Sequence, residues 1–500
     1  MLPRELKNRL NSIGERGEPW STPQNAFQLL EKSPSFHTRG EFTGTPEAEG
    51  NRMANKDMPK DMYFLVKIMF FILGLGTLLP WNFFITAFVY FQSRLVTGNT
   101  TVGSSPDRNG TRVHTDEYNF NNWMTLLAQL PLLLFTLLNS FLYQWISDRT
   151  RIVGSLIGIL ALFILTAVLV KVEMSPQSFF SVTMVTIWFI NSFGAVLQGS
   201  LFGLLGLLPH NYSSLFLSGQ GMAGTFAAVA MLLSLASGAD IQTSALGYFI
   251  TPCVGIFISI LCYLALPHLE FACYYLNRTS AQSYELEKRA ELLLPDEKNG
   301  MPNGVLDFKE KSRPVKELRK ASVVTVLRKI WLPALCIVLT FTATLSMFPA
   351  ITANVRSAAN VKQRWNDFFS PVCCFLIFSV LDWLGRSTTS YVLWPGKDSK
   401  LLLPLLVSLR FVFVPLFMLC NIPEPDRQYL PVFFKQDAWF IIFMTIFSFT
   451  NGYFVSLTMC LAPKNVLPHE SKTTGVLMTF FLALGLSCGA GLSFLFKALL

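Results

Sequence analysis

An all-α polytopic membrane protein is the fold class that this 500-residue sequence predicts, and three observations carry that expectation. Charged residues make up 14% of the chain and hydrophobic ones 51%, whereas soluble domains carry about 25% charged residues. Mean hydropathy is +0.43, well above what a solvated surface permits. The apolar residues also gather into eleven long runs, each with about the 20 residues that a helix needs to cross hydrocarbon. These runs are too long and too continuous for the alternating strands of a membrane barrel.

Taken in order, the runs lie at 64–91, 121–146, 152–171, 178–206, 213–237, 245–266, 329–351, 368–392, 401–420, 437–461 and 472–498. The first contains Pro80, which removes a backbone donor and bends a helix, with Trp81 and Asn82 following at the bend. The fifth is the weakest by hydropathy, because Ser218-Gly219-Gln220-Gly221-Met222-Ala223-Gly224 makes its start small and polar. Small residues let helix backbones approach closely, and packing is the preferred reading there over a sliding contact. Residues 1–62 are polar, rich in Ser, Pro and Glu, and lack the apolar core of a signal peptide. They read as a disordered cytoplasmic tail, with Met53 as a second candidate start. Residues 267–328 form a charged cytoplasmic linker. It divides helices one to six, within 63–266, from helices seven to eleven, within 329–500. Its charge clusters read as solvated, with a helix lying on anionic lipid as the alternative. Two related halves are an expectation from that division alone.

With the N-terminus inside, the inward segments hold 27 Lys and Arg and the outward ones 10, while Lys67, Arg386 and Arg410 lie within spans. The tail and residues 267–329 supply 21 of the 27, and long segments weigh less in such a count. The short loops lean the same way. A cytoplasmic N-terminus and an extracellular C-terminus in the plasma membrane are therefore expected. Sequons at Asn99 and Asn109 then fall outside as candidate glycosylation sites, although Asn211 and Asn277 begin others on the inner side. The net charge of +9 is spread between the apolar runs, which fits membrane orientation better than binding to nucleic acid. Nine Cys sit in or beside apolar segments without zinc spacing and read as packing residues. No metal and no cofactor are expected.

The strongest chemical signal is Asp382-Trp383-Leu384-Gly385-Arg386 in the eighth run. A charge at bilayer depth costs about 2.5–3.5 kcal/mol on insertion scales, so two persist only if they pair or are solvated by water or a ligand. Their i,i+4 spacing places them on one helical face, which extends to Phe375, Ser379 and Thr389. One reading is an ion pair that staples helices. The other is a hydroxyl-binding pair, the carboxylate accepting from a sugar and the guanidinium donating to it. The two are compatible. A second polar face runs through Asn191, Gly194, Gln198 and Ser200, and a third through Gln129, Leu132, Thr136, Asn139 and Tyr143. A Gln amide suits a nucleobase edge, but hydrogen bonding between helices is the simpler reading of these faces.

Taken together, these residues resemble the equilibrative nucleoside transporter family. The matching stretches are Gly74–Asn82 continued through Ala87, Asn191–Gly203, Ser218–Gly224, Asp382–Ser387 and Ala483–Leu500, and the likeness covers 54–500. The opening of the first span and the closing stretch look most like an inhibitor-tolerant vertebrate branch. The resemblance implies a major-facilitator-like bundle of eleven helices in a six-plus-five arrangement. It also implies sodium-independent, facilitated passage of purine and pyrimidine nucleosides by alternating access, with nucleobases passing as well in that branch. By position, Asp382 and Arg386 would meet the ribose and Gln198 the base. Trp81, Leu78, Leu132 and Leu486 would form apolar walls with Asn82 beside them. Ile85, Gln129, Gly194 and Ser379 would line the pocket, and Phe348 and Phe375 would lie toward the outer gate. Ser379 stands where the family commonly has Asn, and Ile85 where the inhibitor-sensitive member has Met, while Gly194 keeps that member's small residue. Sensitivity to nitrobenzylthioinosine is left open by this mixture.

Two further classes bound the expectation. Asp382 is an intramembrane carboxylate of the kind used in proton relays, so a proton-coupled nucleoside transporter or an organic-cation transporter is the alternative. An enzyme is disfavoured, since no Gly-rich phosphate loop, Ser-His pair or His-Cys-Asp cluster appears, and the five His lie at loop edges or in polar segments.

Overall fold

The structure is a computed structural model that describes residues 59–95, 120–142, 145–237, 241–276, 323–358, 365, 368–396, 401–423, 427–467 and 470–500. Asn99, Asn109, Tyr143, Asn277, nearly all of the N-terminal tail and most of the linker lie outside them. Eleven helices correspond to the eleven runs. They are α1 (Leu65–Thr86), α2 (Phe120–Leu142), α3 (Asp148–Lys171), α4 (Pro176–Leu205), α5 (His210–Ser237) and α6 (Ile241–Ala265) before the linker. After it come α7 (Val323–Met347), α8 (Ser370–Thr388), α9 (Leu402–Met418), α10 (Asp437–Leu461) and α11 (Ser471–Leu499). Among the described residues ten helices are long and apolar enough to cross a membrane, and α9 is a shorter apolar helix. The chain is a multi-pass membrane protein.

Helix α2 shows what solvent the bundle is built for. Its polar residues Gln129, Thr136 and Asn139 are buried, while Leu126, Leu130 and Leu134, one turn apart, are each about half exposed. Polar groups face inward and leucines face out, the reverse of a soluble helix, as expected where lipid surrounds the bundle. Helix starts follow ordinary capping chemistry. Ser147 accepts from Thr150 N at the head of α3, and Ser175 caps α4 ahead of Pro176. At α1 the Asp61 carboxylate takes the N–H groups of Val66 and Lys67 and the hydroxyl of Tyr212.

Four expectations change in detail. Helix α1 continues past Pro80, and the break comes at Ala87, before a short helix at Phe88–Leu95. Asn82 donates its amide to Leu78 O at 2.9 Å, one of the carbonyls near the proline. The fifth run, weakest by hydropathy, is a continuous 28-residue helix, because its polar residues turn inward. Helix α8 opens with π-helical turns over Ser370–Leu376, a looser winding often found at functional sites. The ninth run is broken by a 3₁₀ turn at Arg410–Val412.

Glycines set how closely the helices cross. A Cβ on Gly74 would lie 2.0 Å from Phe216 O, and one on Gly219 would lie 2.0 Å from Phe71 O, so α1 and α5 touch backbone to backbone. Gly452 and Gly385 do the same for α10 and α8, with hypothetical Cβ positions 1.9 Å from Asp382 O and 2.2 Å from Phe449 O. In hydrocarbon, packing contacts of this kind replace the hydrophobic drive between helices. Gly452→Leu is expected to destabilise the bundle by about 2 kcal/mol or more. Gly154→Leu, at a position with nothing within 4 Å, serves as the control that leaves it intact. Surface biotinylation and the melting midpoint in detergent check this, and equal behaviour of the two variants would refute it.

Candidate functional site

The pair predicted on α8 is buried, Asp382 and Arg386 being 6% and 5% exposed. One helical turn brings Arg386 Nε to 2.7 Å from Asp382 Oδ2, to which it donates. The second carboxylate oxygen, Oδ1, accepts from Asn451 Nδ2 of α10 at 2.6 Å. On the other side, Arg386 Nη1 reaches Gln220 Oε1 of α5 at 3.4 Å, at the long end of a hydrogen bond. Gln220 in turn donates to Thr77 Oγ1 of α1 at 3.1 Å, and Thr77 donates to Gly74 O at 2.7 Å. The other terminal nitrogen of Arg386 bonds no described group.

The small residues of α5 make this approach possible. A Cβ on Gly221 would stand 2.8 Å from the Trp383 Cα and 3.0 Å from the Arg386 Cδ. Ser218 accepts from Trp383 Nε1 at 3.1 Å and shares a 2.7 Å bond with Ser387. The run read from sequence as packing therefore packs through its glycines and hydrogen-bonds through Ser218 and Gln220. A little further along, Gly224 faces both Asn82 Oδ1 and Ser379 Oγ, at 3.2 and 3.3 Å from its hypothetical Cβ, so α1, α5 and α8 meet at two of the predicted pocket residues.

Behind Asn451 lies a second cation. Arg410 of α9 is 2% exposed, and its Nη1 donates to Thr340 O and to Asn451 Oδ1, both at 3.2 Å. Its Nη2 donates to Thr344 Oγ1 and Phe447 O, both at 3.1 Å, and its guanidinium lies 4.8 Å from the Phe447 ring centroid. The single hydroxyl hydrogen of Thr344 has two acceptors, Asn451 Oδ1 at 2.7 Å and Thr340 O at 2.8 Å. Gln220, Asn451, Thr344 and Arg410 were not singled out from sequence as parts of a site. For Arg410 the signal was present, since it is a lone charge in an apolar run.

Phe348 stacks on Phe378 at 3.9 Å between centroids and meets Phe375 edge-on at 5.7 Å. Phe378 is one turn before Asp382 and was not anticipated. Leu78, Trp81 and Leu486 are half-buried against the core, Leu132 is half-buried, and Ile85 is buried. Gln198 is buried and makes no hydrogen bond to a described residue, and Gln129 Oε1 is buried without a partner. A Cβ on Gly194 would meet nothing within 4 Å. No hydrogen bond joins Gln198, Gln129 or Asn82 to the charged pair. A cavity lined by Phe84, Tyr90, Phe91 and Phe179 lies beside α1, away from the pair.

Where α4 ends and α11 begins, the bundle is tightly closed. A Cβ on Gly475 would lie 2.1 Å from Phe202 O. Lys472 of α11 donates to Asp148 Oδ2 of α3 at 2.5 Å, and Arg151 bonds both Asp148 and, at 2.7 Å, Asn139 Oδ1.

A family model described as nucleoside transporter matches residues 184–498. Equilibrative nucleoside transporter 2 of Mus musculus is 64% identical over 462 residues, which cover 90% of this chain and 100% of that relative. The Homo sapiens protein of the same name is 63% identical over 465 residues with the same coverage, and Homo sapiens equilibrative nucleoside transporter 1 is 48% identical over 466. Among solved structures, the human organic anion transporter MFSD10 aligns with 87% of this chain and 98% of its own, at 12% identity and a TM-score of 0.48. Matched by the family model over α4 to α11, and identical at nearly two thirds of positions to relatives aligned along their whole length, the chain belongs to the equilibrative nucleoside transporter family.

Proposed function

We propose that Asp382 and Arg386 bind the sugar of a nucleoside at the centre of a facilitative carrier, and that the two ends of the bundle open in turn around it. Membership of the family makes the chain a nucleoside transporter rather than an enzyme. The observation that carries the site is the incomplete satisfaction of the buried pair. Each Asp382 oxygen accepts one bond, although a carboxylate oxygen can accept about two. Arg386 reaches only one long partner beyond the carboxylate. Vicinal sugar hydroxyls, which both donate and accept, suit such a pair. Gln198 brings a buried amide with no described partner, fit to read a base edge, beside an open position at Gly194. Leu78, Trp81, Leu132 and Leu486 supply apolar walls, with Asn82, Ser379, Ile85 and Gln129 around them.

A neutral nucleoside feels no direct pull from the membrane potential, so net flux follows its concentration gradient alone. The α4–α11 contact with the Asp148–Lys472 pair acts as one gate, and Phe348, Phe375 and Phe378 act as the other. Purine and pyrimidine nucleosides and nucleobases are all proposed permeants, without sodium coupling. The plasma membrane is the proposed location, with the N-terminus cytoplasmic, the C-terminus extracellular, and Asn99 and Asn109 glycosylated. Proton or organic-cation transport through Asp382 is not favoured, because the relatives' names describe equilibrative transport.

Arg386→Ala is expected to lower uridine uptake by about 30-fold or more, with the amount at the cell surface little changed. Arg386→Lys should restore little, since an ammonium lacks the planar fork. Normal uptake by either variant would remove the site assignment. In liposomes holding the purified protein, labelled uridine should settle at equal concentrations inside and out whatever pH or sodium gradient is imposed, and sustained accumulation would overturn the uncoupled mechanism. Glycosidase treatment should increase the gel mobility of the wild-type protein and leave an Asn99→Gln, Asn109→Gln double variant unmoved.

A further inference from the structure

Arg410 is an interior charge that the proposed mechanism leaves unused. No carboxylate is among its hydrogen-bond partners in the described residues: its terminal nitrogens bond Thr340 O, Phe447 O, Thr344 Oγ1 and Asn451 Oδ1. A guanidinium at this depth is costly, and such residues persist where they serve a function or close a network. Arg410 opens the 3₁₀ turn that interrupts α9, one turn before Pro415.

What Arg410 touches explains its retention. Asn451 presents an oxygen at one end of its amide and an NH₂ at the other, and which end faces which neighbour depends on the partners available. A guanidinium can only donate. Arg410 donates to Asn451 Oδ1, with the Thr344 hydroxyl 2.7 Å from the same oxygen and shared with Thr340 O, and this turns Nδ2 toward Asp382 Oδ1, 2.6 Å away. The opposite orientation would set an amide oxygen against a carboxylate and an amide NH₂ against a guanidinium. The relay therefore has a fixed polarity, running from Arg410 through Asn451 to Asp382. It leaves Asp382 Oδ2 to Arg386.

We propose that Arg410 is a positioning residue for substrate recognition, fixing through Asn451 the orientation in which Asp382 accepts hydroxyl groups of the permeant's sugar. The proposal rests on the reading of Asp382 as a sugar-hydroxyl acceptor. It differs from a purely structural role, in which Arg410 would staple α7, α9 and α10 and its loss would affect every permeant alike.

The test compares uptake of uridine with that of 2′,3′-dideoxyuridine, which lacks the sugar hydroxyls at those positions, for the full-length protein normalised to surface amount. Arg410→Gln is expected to lower the uridine-to-dideoxyuridine uptake ratio about tenfold, chiefly by raising KM for uridine, and Arg410→Lys to recover part of it. Thr344→Val keeps the cation and nearly the side-chain volume while removing one donor to Asn451, and should lower the ratio about twofold or threefold. Equal loss of both permeants in Arg410→Gln, or an unchanged ratio, would overturn the relay. If Arg410→Gln does not reach the surface, Thr344→Val decides alone, and an unchanged ratio there overturns the proposal. Asp382→Asn separates the two levels. If it lowers the ratio while the Arg410 and Thr344 variants do not, the relay fails and the sugar site stands. If it leaves the ratio unchanged, the sugar reading itself has failed and the relay falls with it.

Discussion

Charges buried in a lipid-surrounded bundle need polar partners, and Asp382, Arg386 and Arg410 find theirs along one chain of bonds. It starts at Gly74 O and passes through Thr77, Gln220, Arg386, Asp382 and Asn451 to Arg410, crossing α1, α5, α8, α10 and α9. Within it lie one carboxylate and two guanidinium groups. Any one member left without its neighbour would be a bare polar group in a medium where that costs several kcal/mol. The helix crossings and the small residues of α5 accommodate this chain. The crossings bring it together: glycines at 74, 219, 385 and 452 let backbones come close enough for short side chains such as Thr77 and Asn451 to span the gap.

The bonds in the chain are unequal. Those on the α8–α10 side are short, at 2.6 and 2.7 Å, while the bond from Arg386 across to α5 is 3.4 Å. Asp382 is thus held firmly by its own side of the bundle and Arg386 only loosely by the other. In the mechanism proposed above, that asymmetry keeps the pair assembled on one set of helices while its contact to the other set exchanges with the permeant.

Much of this was legible in the residues themselves. Eleven runs became eleven helices, because length and apolarity suffice to specify a span when the solvent is lipid. The pair at 382 and 386 was legible because two charges one turn apart in such a run have few explanations. Its partners were not. Asn451 lies 69 positions from Asp382, and Gln220 lies 166 from Arg386, and an isolated amide in an apolar run looks the same whether it bonds a neighbouring helix or a ligand. Local winding was equally hidden. The split in α9 falls one turn before Pro415 and the π-helical opening of α8 begins beside Pro371, but the winding each adopts is not written in hydropathy. The small residues of α5 were weighed as packing against sliding, and the structure gives them two jobs according to residue type, with glycines for approach and Ser218 and Gln220 for bonding.

The backbone contacts at the α1–α5 and α8–α10 crossings also leave no gap for water or a lipid tail. Each of these helix pairs behaves as one thick rod. Between the rods the contact is of another kind, Gly221 lying against the Trp383 Cα and the Arg386 Cδ. Parting either rod would mean separating two backbones, whereas the seam between them closes partly on a flexible side chain.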